Sequence, residues 1–119
     1  MSATSTITSR GAMRDIDAEV LARLRAALIA DRAPQAALVR ANEATAQALT
    51  GQRDVDSILE REIAEVSAAR ARDAIDDIDA ALTKMTGGTY GACESCRLPI
   101  PVERLEAIPH ARTCVACST

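Results

Sequence analysis

The four cysteines of this chain form two pairs with the same internal spacing. Two residues separate Cys93 from Cys96 and Cys114 from Cys117, and seventeen residues lie between the pairs. Four thiolates fill a tetrahedral zinc site and leave no open position, which is typical of a structural rather than a catalytic metal. The spacing therefore predicts one structural Zn²⁺ held by all four sulfurs. Two disulfides or a redox pair are the alternatives, but the chain has no βαβ pattern to support a thioredoxin-like role.

No other set of residues predicts catalysis. The single histidine, His110, lies between the cysteine pairs, without the histidine–x–glutamate motif that a zinc deaminase requires. The sequence shows no glycine-rich phosphate loop and no pairing of a nucleophile with a base. We therefore expect that the protein is not an enzyme, and that His110 is a surface residue beside Pro109 rather than a metal ligand.

The charge balance argues against direct binding of nucleic acid. The chain has 14 basic and 17 acidic residues and a pI of about 5.1. Affinity for nucleic acid depends largely on neutralising phosphates, and the chain has only one aromatic residue to stack on bases. We expect no direct contact with nucleic acid. In the cysteine-containing segment the basic and acidic side chains cancel: Arg97, Arg104, Arg112, Glu94, Glu103 and Glu106.

The composition predicts that helices position the cysteines. The chain has 25 alanines and neither Trp nor Phe, which suits close helix–helix packing better than an enzyme core. A short chain with so few large apolar side chains needs an additional source of stability, such as a bound zinc ion. We predict an all-α fold with three parts: a flexible leader over residues 1–13, a long antiparallel helical hairpin (coiled coil) over 14–86 with its tip at about 50–56, and a small C4 zinc finger over 87–119.

The first helix of this hairpin is predicted from about Arg14 to Thr50. Pro34 lacks a backbone N–H, so we expect a kink or short break near Asp31–Pro34. The positions predicted to face the second helix recur at three- and four-residue steps. They are Val20, Leu24, Ala27, Leu38, Ala41, Thr45 and Ala48.

The second helix is predicted from Ser57 to about Met85. Ser57 and Glu60 have the spacing of a capping box, and two glycines at 87–88 provide a stop. The segment before it, TGQRDVD, is predicted to be the turn. The apolar positions predicted to face the first helix are Leu59, Ile63 and Val66, then an alanine-lined stretch, and then Ile75, Ile78, Leu82 and Met85.

The sequence contains no signal for export and no membrane span. Its first residues lack the apolar run of a secretory signal, and no stretch approaches the ~18 consecutive apolar residues of a spanning helix. We expect a cytoplasmic protein, and in that compartment paired CxxC motifs bind metal more often than they form disulfides.

From Thr89 onward the sequence resembles the C-terminal zinc finger of the TraR/DksA family. That finger reads roughly YGxCxxCGxxIxxxRLxAxPxxxxCxxC, and this chain reads TYGACESCRLPIPVERLEAIPHARTCVACST. Besides the four cysteines, the matching residues are Tyr90, Gly91, Ile100, Arg104, Leu105, Ala107 and Pro109.

This resemblance implies a fold and a function. It implies a zinc finger joined to a coiled-coil hairpin that enters the secondary channel of bacterial RNA polymerase, where acidic residues at the hairpin tip act near the active centre. Such proteins regulate transcription without binding a DNA sequence, and some act together with a guanosine tetraphosphate alarmone. We accordingly expect RNA polymerase as the partner and a monomer as the active form.

An adaptor function is the alternative to this interpretation. A zinc-stapled helical module could pair with another protein, or with itself through the first helix. In either case Tyr90 and Leu105 are expected to pack around the zinc knuckles. Arg104 would either face the polymerase or pair with a neighbouring glutamate or thiolate.

The chain departs from the family pattern at the hairpin tip and just after the second cysteine. The family's tip usually carries a D-x-x-D-x-A-like motif, whereas Asp54 and Asp56 are two residues apart here. They are the candidates for the tip function, and N-capping of the second helix is their alternative role. Arg97 stands where glycine is common after the second cysteine, at a position that often requires positive φ.

Overall fold

The computed structural model describes residues 9–118, which form helices joined by short turns. Within this range there is no extended strand, and only an isolated antiparallel bridge joins Ala92 to Pro99. The predicted all-α class is confirmed. No described helix is long and apolar enough to cross a membrane. The helices are α1 (Ser9–Arg14), α2 (Ala18–Ala48), α3 (Val55–Gly87), α4 (Val102–Ala107) and α5 (Val115–Ser118).

The chain divides into two compact units. One unit contains the residues up to Ala30 together with those from Asp77 onward, and the other is Asp31–Asp76. In each unit a part of α2 is combined with a part of α3. The cysteines belong to the first unit and the turn between α2 and α3 belongs to the second.

Part of the segment predicted to be a flexible leader forms helix α1. Over residues 9–13 that prediction is wrong, and its first eight residues lie outside the described part of the chain. Ala12 and Ile16 are buried, and the Ile16 Cδ1 atom would lie 3.0 Å from a Cβ added to Gly91. A short apolar face therefore holds α1 against the start of the finger.

A capping residue separates α1 from α2, so the first long helix does not start at Arg14 as predicted. The Oδ1 atom of Asp17 accepts a hydrogen bond from the Glu19 N–H at 3.0 Å. This is the position of an N-cap, where a carboxylate satisfies an orphan donor of the first turn. Helix α2 consequently begins at Ala18.

Helix α2 continues through Pro34, so of the predicted kink or short break the break is wrong. A proline removes the hydrogen bond to the carbonyl four residues earlier, here that of Ala30. Both residues are exposed, so water can satisfy the Ala30 carbonyl in place of the missing donor.

The unit Asp31–Asp76 buries a seam of alanines. Ala64, Ala68 and Ala71 of α3 are 2–3% exposed, because alanine lets two helices approach closely at little cost in side-chain entropy. Most of the predicted contact positions in this unit are wrong, although Ala68 and Ala71 lie in the predicted alanine-lined stretch of α3. On α3, Leu59, Ile63 and Val66 are half or more exposed, and on α2, Leu38, Ala41, Thr45 and Ala48 are exposed, while Val39, Asn42 and Ala46 are half-buried.

The unit that contains the finger has a core of larger side chains. Leu24 of α2 and Ile78 and Met85 of α3 are buried, as predicted, and Leu28 of α2 is fully buried with them. The finger adds its own side chains to this cluster. The finger residues in the cluster are Tyr90, Cys93, Ile100 and Leu105.

Candidate metal centre

The first pair of cysteines lies on a tight turn that is closed by backbone hydrogen bonds. The Cys93 N–H donates to the Leu98 carbonyl at 2.9 Å, and the Arg97 N–H donates to the Cys93 carbonyl at 2.9 Å. Arg97 has φ +68°, so the predicted positive φ at this position is confirmed. This left-handed residue reverses the chain just after Cys96, so that both sulfurs can face one point.

The second pair opens the last helix of the chain. Cys114 precedes α5 and Cys117 lies within it, and the Cys117 N–H donates to the Cys114 carbonyl at 3.1 Å. One helical turn therefore brings these two sulfurs to the same side.

The four sulfurs form one compact cluster. All four Sγ atoms lie within 4.8 Å of one another, and the Sγ atoms of Cys96 and Cys114 are 3.8 Å apart. Zn–S bonds of about 2.3 Å in a tetrahedron place sulfurs about 3.8 Å apart, whereas a disulfide needs about 2.05 Å. No disulfide is formed by these cysteines. The cluster therefore fits one structural zinc ion.

Hydrogen bonds shift the pKa values of two of the clustered thiols in opposite directions. A hydrogen bond from the Cys96 N–H lowers the pKa of the Cys93 thiol to about 6. Hydrogen bonding with the neighbouring Cys114 thiol raises the pKa of Cys117 to about 12. Because thiolates this close repel one another, all four ionise together only around a positive charge such as Zn²⁺.

Tyr90 and Leu105 form the packing around the cluster. Both are at most 1% exposed, as predicted, and the Tyr90 hydroxyl donates a hydrogen bond to the Pro109 carbonyl at 2.8 Å. Burial raises the pKa of Tyr90 to about 12. Tyr90, which precedes the first knuckle, is thus hydrogen-bonded to the segment that connects the two knuckles.

Arg104 contacts the second knuckle, and neither of the partners expected for it from the sequence, a neighbouring glutamate or a thiolate, is the one it binds. Its Nε donates to the Thr113 carbonyl at 3.0 Å, and its guanidinium lies 3.4 Å from the Ser118 hydroxyl. These partners lie on both sides of the pair Cys114–Cys117. Arg104 therefore pairs locally, within the finger.

Glu94 is the centre of an ion-pair network that the sequence did not predict. Its carboxylate accepts hydrogen bonds from Lys84 of α3 and from Arg112, the latter at 2.9 Å, and the same guanidinium reaches Asp77 at 2.9 Å. Lys84 is the first cause of a lowered pKa at Glu94. The pairs are partly exposed, so each contributes about 0.2–1 kcal/mol at most. The network joins both knuckles to α3.

His110 does not take part in the cysteine cluster. The groups of His, Cys, Asp and Glu close enough to share an ion, among the described residues, contain the four cysteines alone. The side chain is half-buried rather than fully at the surface as expected, and its Nδ1 atom has no hydrogen-bond partner.

The two candidate tip residues have different surroundings in the turn between α2 and α3. Gly51 reverses the chain with φ +89°, and Asp54 precedes α3. The Asp54 Oδ2 accepts a hydrogen bond from the Ser57 N–H at 2.9 Å, which lowers the pKa of Asp54. Asp54 is thus the N-cap, and the predicted capping box at Ser57 is wrong because Ser57 lies inside the first turn. Asp56 is exposed in that turn.

Comparisons with known proteins agree on the finger and on the fold. The family model of the prokaryotic dksA/traR C4-type zinc finger matches residues 88–119. General stress protein 16O of Bacillus subtilis is 50% identical over 44 residues, 37% of this chain and 27% of that protein. The RNA polymerase-binding transcription factor DksA of Escherichia coli is 42% identical over 50 residues, 42% of this chain and 33% of that protein.

The matched segments thus span about a third or less of the length of these curated relatives. The fold comparison covers more of the chain. The structure of transcription factor DksA2 from Pseudomonas aeruginosa matches with a TM-score of 0.72 over 92% of both chains, at 21% identity. This likeness supports the fold of the helices as well as that of the finger.

Proposed function

We propose that this chain, a zinc finger protein of the TraR/DksA family, is a bacterial transcription regulator that binds RNA polymerase with its helical hairpin in the secondary channel. The observation that carries the proposal is the combination in one chain of the family's finger at residues 88–119 with helices that share the DksA2 fold. In this proposal the protein acts as a monomer in the cytoplasm and does not read a DNA sequence.

The finger has a structural part in this mechanism. Cys93, Cys96, Cys114 and Cys117 would hold Zn²⁺, which supplies the positive charge that keeps four thiolates together. Tyr90 and the Glu94 network would then keep the finger fixed on α3. We propose no catalytic step, because four thiolates around Zn²⁺ leave no open position on the metal.

The turn between α2 and α3 is proposed as the segment that acts on the polymerase. Asp54 and Asp56 both lie there, but the Asp54 carboxylate is already hydrogen-bonded to the Ser57 N–H. We therefore assign the capping role to Asp54 and propose Asp56 as the acidic group presented to the polymerase.

Competitive binding tests the proposal. Zinc-loaded protein is titrated into bacterial core RNA polymerase in the presence of a labelled secondary-channel factor. Displacement of the factor is expected. Binding without displacement would place the site elsewhere on the polymerase, and absence of binding, with zinc content and helicity verified, would favour the adaptor alternative. The same titration with guanosine tetraphosphate tests the alarmone dependence that the family resemblance implies for some members.

A further inference from the structure

An apolar stripe runs along the solvent face of α3 in the unit Asp31–Asp76. Val55, Leu59, Ile63 and Val66 are 70%, 50%, 67% and 52% exposed. At ~100° per residue these four side chains fall within ~80° of arc and extend ~16 Å along the helix. The alanine seam at Ala64, Ala68 and Ala71 lies on the other side. These four apolar side chains are thus in water, whereas the alanines on the other side of this stretch of α3 are buried.

We propose that this stripe, Val55–Leu59–Ile63–Val66, is a docking surface for RNA polymerase, and that the polymerase covers it with an apolar surface bordered by basic groups. The inference rests on the proposed function. It deepens that function because it gives the hairpin a contact along the side of α3 in addition to the turn.

Continuity with the turn supports this assignment. Val55 is the first residue of α3 and lies between Asp54 and Asp56. A partner that receives Asp56 therefore already reaches the beginning of the stripe. The next three members follow at one-turn steps along the same face, so one contact could extend from the turn to Val66.

Charge supports a basic border on the partner. Asp56 and Glu62 each lie only ~20° outside the arc of the stripe, on opposite sides. From Val55 to Val66 the helix has four carboxylates and one guanidinium, that of Arg61, which lies 3.8 Å from Glu65. Both borders of the stripe are therefore acidic.

The same charges argue against a second copy of this chain as the occupant. If two stripes paired, in either helix direction, an acidic border would face an acidic border, and like charges at such positions destabilise helix pairs. The area is also small. Four side chains on one helix cover far less than the ~800 Å² per partner of a stable complex. The stripe fits a contact that adds to a larger interface.

Substitution of the two central members tests the proposal. Leu59→Gln with Ile63→Gln removes apolar surface from an exposed face and keeps helix propensity, so zinc content and thermal midpoint should not change. Affinity for core polymerase should fall at least ~10-fold, since two aliphatic side chains lose their burial in the complex. Leu38→Gln, at a half-exposed leucine of α2, is the matched control and should bind as the parent does.

The outcomes separate the stripe from the proposed function. If the parent binds polymerase and the double variant binds equally well, the docking surface is wrong and the proposed function stands. If the parent does not bind polymerase, both are wrong. A parent that sediments as a dimer, with a monomeric double variant, would identify the stripe as a self-interface and overturn the proposal.

A charge reversal tests the basic border separately. Glu62→Lys places a cation beside the stripe and leaves its four apolar residues in place. Affinity for polymerase should fall several-fold. This loss should become smaller as the salt concentration rises, because salt screens exposed charge pairs. Equal or tighter binding of this variant would contradict a basic border on the polymerase.

Discussion

Arg97 has a backbone conformation that glycine adopts at lower cost. Its φ of +68° is left-handed, which costs a residue with a Cβ roughly 1–2 kcal/mol. Arg97→Gly should therefore stabilise the zinc-loaded protein by about 0.5–1 kcal/mol, after the larger entropy of glycine in the unfolded chain is subtracted. Denaturant unfolding measures this, with Arg97→Lys as the control that keeps the Cβ. A less stable glycine variant would show that contacts of the arginine side chain outweigh the backbone cost.

The hydrogen bond from the Ser57 N–H to the Asp54 carboxylate makes the stability of the fold depend on pH. This bond lowers the pKa of Asp54 in the folded protein, so the carboxylate stabilises the fold at pH values above the ordinary aspartate pKa of about 3.9. The contribution is lost as pH falls through the lower, folded pKa. Asp54→Ala should reduce the thermal midpoint at pH 7, and Asp54→Asn should reduce it less because the amide oxygen still caps. Equal midpoints of all three proteins would contradict the capping role.

Asp56 should be separable from Asp54 by function. Asp56→Asn removes a charge from an exposed first-turn position, where a carboxylate contributes only modestly to helix stability. We expect polymerase affinity and thermal midpoint close to those of the parent, and a changed lifetime of promoter complexes in a transcription assay. An unchanged promoter response would remove Asp56 from the proposed mechanism.

At the scale of the helices, the seam of α3 depends on small side chains. Ala64 is 3% exposed and Ala69, five residues further on, is exposed. Ala64→Leu should destabilise the protein by about 1–3 kcal/mol because three extra carbon atoms must enter a close helix contact. Ala69→Leu, the same change on the solvent side, should have little effect. Equal unfolding free energies for the two variants would mean that the helices do not meet at Ala64.

The seam also shows why the sequence predicted the helices better than their contacts. Helix limits follow local signals, such as the glycines at 51 and 87–88, and α3 is found close to its predicted range. Among the predicted contact positions, the large apolar residues Leu59, Ile63 and Val66 are exposed, whereas the helices meet at alanines, whose small size is itself the reason for the contact. In a chain with 25 alanines, the period of apolar residues does not distinguish the seam from the rest of the surface.

The finger was more predictable because its chemistry restricts it. Each CxxC spacing brings two sulfurs to one side of a turn, so two such pairs can bind one metal ion in few ways. The structure places all four sulfurs within 4.8 Å of one another. The contacts of Glu94 with Lys84 and Arg112 could not be predicted, since they depend on how the finger packs on α3, and any of several charged residues had a suitable spacing. Helix α1 was missed for a similar reason: Ser/Thr-rich sequence indicates a flexible segment, whereas Ala12 of α1 is buried and Ile16, just after it, lies against Gly91 of the finger.

At the scale of the whole molecule, the zinc site should determine whether the finger is folded. Cys114→Ser removes one proposed ligand, and the binding energy of a structural zinc is folding energy. The variant should lose zinc and weaken polymerase binding. Ser95→Ala, a change between Cys93 and Cys96 that spares all four sulfurs, is the matched control.

Tyr90 provides a direct measurement of this effect because it is the chain's single aromatic residue. Burial raises its pKa to about 12 in the folded finger, against about 10 for an exposed tyrosine. A neutral phenol is thus favoured by folding, and this stability is present below pH 10 and lost as pH rises through about 12. In the Cys114→Ser variant, phenolate absorbance should appear near pH 10 rather than near 12. An unchanged titration together with retained zinc would show that three cysteines suffice to hold the finger, and that Cys114 is not a required ligand.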